Sequence, residues 1–296
     1  MSLPDEVRAA AAHVAARARH VRVVEDAIEA YAATLPAASP PAPDVAGADD
    51  ERRAAFSLQL NAINFGSGWF PTLRKPPGLS GFRTVEAGLR AHGPWSPAEL
   101  QAMTAERIAG ALGQEPGHEL MALFARALAE LGAAAEEAGG FLALARSGDG
   151  SLVALAERLA ALPMWRDVSP YGELTVPFFK RAQIAAADLH LQGLVAGPDL
   201  PALTLFADNL VPHVLRLDGV LAFDDDLVAR IDREELLEHD SPEEVEIRAC
   251  AVRAVELLVA AHGHTTATTV DNTLWHRGAG ARYKARPRHR ARTTAY

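Results

Sequence analysis

The chain has 296 residues, 49% of them hydrophobic, and a net charge of −9, enough apolar material to bury a large core and too much for a disordered chain. One cysteine, Cys250, excludes an intramolecular disulfide and a cysteine-built zinc site, and the lack of any apolar run of about eighteen residues excludes a membrane-spanning helix. The charge is uneven: seven Lys/Arg and no acid lie between Arg277 and Tyr296, and removing them from −9 leaves −16 upstream, an acidic body unsuited to gripping long DNA or RNA, whose affinity comes from phosphate neutralisation.

The first residues carry charge from Asp5 onward and lack the apolar stretch of a secretion signal, which predicts a cytoplasmic protein. Residues 3–35 read as helical, with Val14, Val21, Val24, Ile28 and Tyr31 near helical spacing. The run Pro36-Ala-Ala-Ser-Pro-Pro-Ala-Pro43 and the acids after it predict an exposed loop over 36–52. Over 58–71 aromatic residues mix with asparagines and with Gly66 and Gly68, and turn signals follow at Ser80–Arg83 and Gly93–Trp95. A short β element within 65–85 is expected from this pattern. Helix signals dominate from residue 96. Ser96-Pro97-Ala98-Glu99 is a capping box with proline at the first helical position, and Ser241-Pro242-Glu243-Glu244 repeats the device ahead of a helix to about Ala261. Helical periodicity covers 116–138, 151–162, 177–195, 201–217 and 225–238. No internal repeat and no dinucleotide-binding or P-loop glycine pattern occurs. The expected fold is mainly α, one domain over 1–296.

Four segments place polar groups among aromatic or apolar residues: 61–69 with Asn64, Phe65 and Trp69, 177–184 with Lys180, 206–215 with Asp208 and His213, and 271–275 with Asp271 and Trp275. Lys180 and Asp208 each stand in an apolar window read as helical, where an isolated charge is costly. Pairing the two relieves that cost, and such a pair is either structural or functional. Pro212 predicts a bend or a helix start just after Asp208, where side chains reach into clefts. His213 is a candidate base or stacking contact, though a lone histidine also serves as a packing residue. With no HExxH, no Cys/His cluster and no Gly-x-Ser-x-Gly elbow, neither a metal nor a cofactor is expected. Glu244, Glu246, Arg248 and Arg253 share one capped helix and read as intrahelical ion pairs. The basic end reads either as a solvated tail or as the holder of one or two phosphates.

Seven blocks in fixed order carry a resemblance: Asn64-Phe65; Trp165-Arg166-Asp167-Val168; Phe179-Lys180-Arg181-Ala182-Gln183-Ile184; Phe206-Ala207-Asp208 with Val211-Pro212; Glu244-Val-Glu-Ile-Arg248; Asp271 with Leu274-Trp275; and Pro287-x-His289-Arg290-x-Arg292 ending in Tyr296. Over roughly residues 56–296 they resemble the queuosine salvage family, the queuosine 5′-phosphate N-glycosylase/hydrolases. The chain departs from that pattern at Asn209 and His213, where eukaryotic members carry Tyr and Gln, at Phe179 in place of a tyrosine, and at Gly66-Ser67-Gly68. The resemblance implies a helical fold similar to the 8-oxoguanine-type DNA glycosylases. It also implies cleavage of the N-glycosidic bond of a small-molecule substrate, queuosine 5′-phosphate, with release of queuine.

Breaking a ribosyl N–C bond builds positive charge on the sugar and negative charge on the leaving base. Asp208 is expected to stabilise that cation and orient the attacking water. Lys180 is expected to hold Asp208 ionised, or to contact a ribose hydroxyl or phosphate. The implied base is a 7-deazaguanine without an N7 to protonate, so recognition falls to its other edges and faces. Asn64 and Asp271 are candidates for hydrogen bonds, Phe65, Trp69 and Trp275 for stacking, His213 for a further base contact, and His289, Arg290 and Arg292 for the phosphate. Two other readings stand beside this one, a base-excision DNA glycosylase and a non-catalytic helical protein that binds a nucleobase.

Overall fold

The structure, a computed structural model, describes residues 1–38 and 49–296. It is 58% helical, and its β content among the described residues is two antiparallel two-stranded ribbons and one isolated bridge, so the fold is mainly α as expected. Residues 39–48, the centre of the loop expected over 36–52, lie outside the described residues. By Asp49 the chain has already turned into the helix Asp50–Ala62, with Arg52 N–H donating to the Asp49 carboxylate at 2.7 Å. No helix is long and apolar enough to cross a membrane among the described residues.

Contacts divide the chain into two units. The first collects residues from 1–38, 167–180 and 199–292. At its centre is the helix Pro242–His262, opened by the Ser241 cap and buried through Val245, Ile247, Cys250, Val252, Val255 and Leu258. The helix Leu3–Ala15 lies along it and buries Leu3, Val7, Ala10, Ala11 and Val14, a stripe at helical spacing.

The helical reading of 3–35 fails after Ala15. Val21–Val23 is a strand paired antiparallel with Leu221–Phe223, and only short helical turns, Glu25–Ala27 and Ile28–Ala32, follow. The valines favour extended backbone once a partner strand is present. The Glu246 carboxylate of the central helix secures the entry, accepting N–H groups from Arg19, His20 and Val21 at 3.0, 2.7 and 3.2 Å. The reading of 201–217 as one helix is corrected in the same way. Leu200–Ala202 is a single 3-10 turn, 203–208 is non-helical, and the helix is Val211–Leu217 with Pro212 in its first turn. The window 177–195 narrows to Lys180–Leu191, because the hairpin Val168–Tyr171/Leu174–Pro177 occupies the chain up to Pro177.

The second unit collects 49–166, 181–198 and 293–296. Helices Asp50–Ala62, Pro97–Gln101, Ala105–Leu112 and Phe141–Arg146 pack against the helix Glu119–Ala138. The Ser96 capping box closes in both directions, Glu99 N–H to Ser96 Oγ at 3.3 Å and Ser96 N–H to Glu99 Oε2 at 2.9 Å. The β element expected in 65–85 is absent: that stretch holds a 3-10 turn, Phe70–Thr72, and the start of the helix Gly81–His92. Its glycines serve close approach instead of strand bending. Gly66 has φ +96° and donates its N–H to Tyr296 O at 2.8 Å, and a Cβ there would lie 2.6 Å from Leu120 Cδ1.

Two substitutions test this account by urea unfolding. Gly66→Ala, strained in backbone and crowded against Leu120, is expected to cost about 1–3 kcal/mol. Ser96→Ala is expected to cost about 1 kcal/mol through loss of the cap.

Candidate active site

In the first unit, Arg248 is fully buried on the central helix. Its Nη1 and Nη2 donate to Asp167 Oδ1 and Oδ2 at 2.9 and 2.6 Å, and its Nε donates to Ala207 O at 3.0 Å. The Phe178 ring covers the guanidinium with 3.9 Å from its carbon to the ring centroid. The intrahelical partner expected from sequence, Glu244, lies farther off at 3.8 Å. Asp167 is equally occupied. Its backbone carbonyl accepts from Phe178 and Phe179 N–H at 3.0 and 3.3 Å, and its Oδ2 accepts from Lys180 N–H at 3.0 Å.

The two residues expected to act in catalysis hang from this pair. Lys180 is buried and opens its helix immediately after Phe179, whose φ of +49° is unusual for a side chain of that size. Its amide is held by Asp167. Asp208 directly follows the carbonyl held by Arg248. It is half-buried, and its Oδ1 accepts N–H groups from Leu210 and Val211 at 2.8 and 3.0 Å. Asp208 Oδ2 has no hydrogen-bond or ion-pair partner among the described residues. One carboxylate oxygen is thus clamped by backbone and the other is offered outward.

The closing basic segment passes beside this carboxylate. Asn209 Nδ2 donates to His289 O at 3.0 Å, and Arg216 Nη2 donates to Pro287 O at 3.3 Å. His289 is buried, and desolvation pushes its pKa down to about 3 against the pull of Glu244. Arg290 donates to the carbonyl and carboxylate of Glu234, both at 3.1 Å. Arg292 is exposed. Arg288, which fills the unspecified position of the Pro287-x-His289 block, is half-buried and interacts electrostatically with Asp208. Sequence reading missed it because it is one of seven bases in a run.

His213 is buried on the helix Val211–Leu217, with Nε2 2.9 Å from Tyr283 O. A carbonyl only accepts, so Nε2 carries the proton. Burial, offset in part by that hydrogen bond, lowers its pKa to about 4. Asp271 and Trp275 lie four residues apart on one face of Ala267–Arg277, a helix that packs on Val211–Leu217. Asp271 is buried and Trp275 half-buried, the latter edge-to-face with His276 at 5.1 Å. The remaining candidates belong to the second unit. There Asn64 Nδ2 reaches Asn61 Oδ1 at 3.3 Å, and Trp69 Nε1 donates to Glu119 at 2.7 Å. Phe65 is buried between the edge of Phe124 and the Arg181 guanidinium, which also stacks on Trp165.

His239, Asp240 and Glu244 bring three potential metal-donor atoms within 4.8 Å of one another. Burial disfavours charge on His239, but the hydrogen bond and charge of Glu244 and the charge of Asp240 prevail and raise its pKa. With Arg248 also 3.8 Å from Glu244, this group is a charge network already balanced by its own cations.

The queuosine salvage protein family model matches residues 47–296. Among similar proteins, the queuosine 5′-phosphate N-glycosylase/hydrolase of Sphaerobacter thermophilus is 38% identical over 210 residues, covering 67% of this chain and 64% of that protein. The proteins of the same name from Schizosaccharomyces pombe and Bos taurus are 37% and 38% identical. Their matches cover 40% and 32% of this chain and 36% and 29% of their own lengths. The chain therefore spans just under two thirds of the first relative and about a third of the other two.

Two measurements probe the site's framework. Arg248→Met, which strands a buried carboxylate, is expected to lower the unfolding free energy by roughly 3–5 kcal/mol, and Asp167→Leu in the same chain to recover much of that loss. For His213, the folded pKa of about 4 lies below the ordinary 6.5, so the stability it protects is complete above about 6.5 and lost as pH falls toward 4. In His213→Gln the decline of the urea midpoint between pH 6.5 and 4 is expected to be shallower, by up to about one proton.

Proposed function

This chain belongs to the queuosine salvage protein family, and from that premise we propose that it hydrolyses the N-glycosidic bond of queuosine 5′-phosphate in the cytoplasm, giving queuine and ribose 5-phosphate. The observation that carries the reading is the Asp208 carboxylate, with Oδ1 clamped by Leu210 and Val211 N–H and Oδ2 unengaged among the described residues.

In the reaction the bond from the ribose anomeric carbon to the base nitrogen breaks, and its electron pair leaves with the base. The sugar becomes a cation that a water oxygen then captures. The water gives up one proton, and the departing base gains one. Asp208 Oδ2 lies against the sugar, where its negative charge stabilises the cation and draws a proton from the incoming water. Because Oδ1 is already oriented by backbone, little reorganisation accompanies the reaction. Lys180, its amide held at the head of its helix by Asp167, supplies positive charge for a ribose hydroxyl or the phosphate of the substrate. Asp271 and Trp275 share one helical face and receive the base, the first by hydrogen bonding to its edge and the second by stacking. The neutral His213 is a further base contact that adds no charge. The basic segment 286–292 takes the phosphate.

The test follows queuine release by liquid chromatography with mass detection. Asp208→Asn, which keeps an oxygen for the two amides, is expected to fold with a near-wild-type melting temperature, Asp208→Ala to lose about 1 kcal/mol of stability, and both to lose activity by roughly 10²–10⁴-fold. Full activity in both variants removes Asp208 from the mechanism.

A further inference from the structure

One carboxylate in the first unit gathers donors from three separate segments. Asp218 follows the last residue of the helix Val211–Leu217, and its side chain is 7% exposed. Tyr31 OH donates to its Oδ2 at 2.7 Å, and Tyr283 OH to its Oδ1 and Oδ2 at 2.8 and 3.1 Å. Arg277 Nη1 donates to Oδ2 at 3.2 Å and to Tyr31 OH at 2.7 Å, and Arg282 Nη1 stands 3.3 Å from Oδ1. Burial, reinforced by the carboxylate, raises the pKa of both phenols, so they remain donors.

Arg282 and Tyr283 sit on Ala281–Lys284, a helix of four residues. A single turn has almost no stability of its own, so its place is set by what its side chains grip. Both grip Asp218, and Arg282 Nη2 also donates to Leu217 O at 2.6 Å. The Tyr283 carbonyl placed in this way accepts from His213 Nε2 at 2.9 Å, with Arg286 N–H farther off at 3.4 Å. That bond selects the tautomer in which Nδ1 is the acceptor. Nδ1 is buried and meets no donor among the described residues, a costly state for an acceptor until a donor arrives. Asp218 therefore ends the helix that carries His213 and holds the helix that carries its partner.

We propose that Asp218 is a positioning residue for the reaction: acting through Tyr283, it fixes the orientation and tautomer with which His213 meets the base. This inference rests on the hydrolase reading above.

Asp218→Ala and Tyr283→Phe are made in wild type and in His213→Ala, and kcat and KM are measured on queuosine 5′-phosphate. Asp218→Ala is expected to raise KM on the order of tenfold with kcat nearly unchanged, as for one lost hydrogen bond common to ground and transition states. Tyr283→Phe is expected to raise KM by a smaller factor. In His213→Ala, Tyr283→Phe is expected to change kcat/KM by less than about twofold, and Asp218→Ala to lose most of its effect, because the group they act through is gone. A fall in kcat at unchanged KM, the signature of a smaller folded fraction, overturns the proposal. So does a loss fully retained in His213→Ala, or a Tyr283→Phe enzyme with wild-type constants. If Asp218→Ala does not fold, Tyr283→Phe decides alone. A wild type that releases no queuine defeats the hydrolase reading instead. The ¹⁵N shifts of the His213 imidazole then decide on Asp218 by themselves. A ring that stays wholly Nε2-protonated in every folded variant overturns the positioning role, and a mixture of tautomers sustains it.

Discussion

Arg248 and Asp167 form a charge pair sealed from water, and the first unit arranges its site around them. Each charge alone would cost several kcal/mol to bury, so the pair persists only where geometry is good and the remaining donors and acceptors are met. Here they are met by the chain itself, through Ala207 O, Lys180 N–H and the face of Phe178. Three segments distant in sequence converge on two side chains: the base of a hairpin, a non-helical stretch and the longest helix. The left-handed backbone at Phe179, which costs about 1–3 kcal/mol, is tolerated because Asp167 takes the amides on both sides of it as well as its own. Displacing the pair would move both Lys180 and Asp208.

The ionisable groups around this frame fall into two kinds. His213 and His289 are buried and held neutral by desolvation, so they fill space and hydrogen-bond without adding charge beside the candidate carboxylate. Glu244 is buried too, but it stays charged because His239 and Arg248 balance it. The field at Asp208 is left to a small number of fixed groups, and fixed dipoles and charges are what a reaction passing through a sugar cation requires.

Much of this was legible in the sequence wherever the cause was local. The Ser96 and Ser241 caps announce their helices because a serine hydroxyl and an amide three residues on are enough to start one. The strand at Val21–Val23 was not legible, since its partner is Leu221–Phe223 and its anchor is Glu246. Asp208 stood out as a charge among apolar residues, but the helix expected around it gave way to non-helical backbone whose amides two and three residues on are met by its own carboxylate. Arg248 was paired with Glu244, one turn away, when its close partner lies 81 residues back. Helical spacing reveals neighbours on one helix and says nothing of what approaches from outside. Arg288 was hidden for the opposite reason, since its sequence neighbours are equally basic and only burial separates it from them.

The antiparallel ribbon of Val21–Val23 with Leu221–Phe223, and the helix Leu3–Ala15 laid along Pro242–His262, have a bearing on biogenesis. Residues 3–23 meet these partners only after about two hundred further residues have been made. Closing so large a loop is slow and entropically costly. Until then the stripe Leu3, Val7, Ala10, Ala11 and Val14 lacks the long helix it lies along, which makes it a natural grip for a chaperone. A segment made well before its main partner thus waits for much of the unit to be synthesised before it is fully packed.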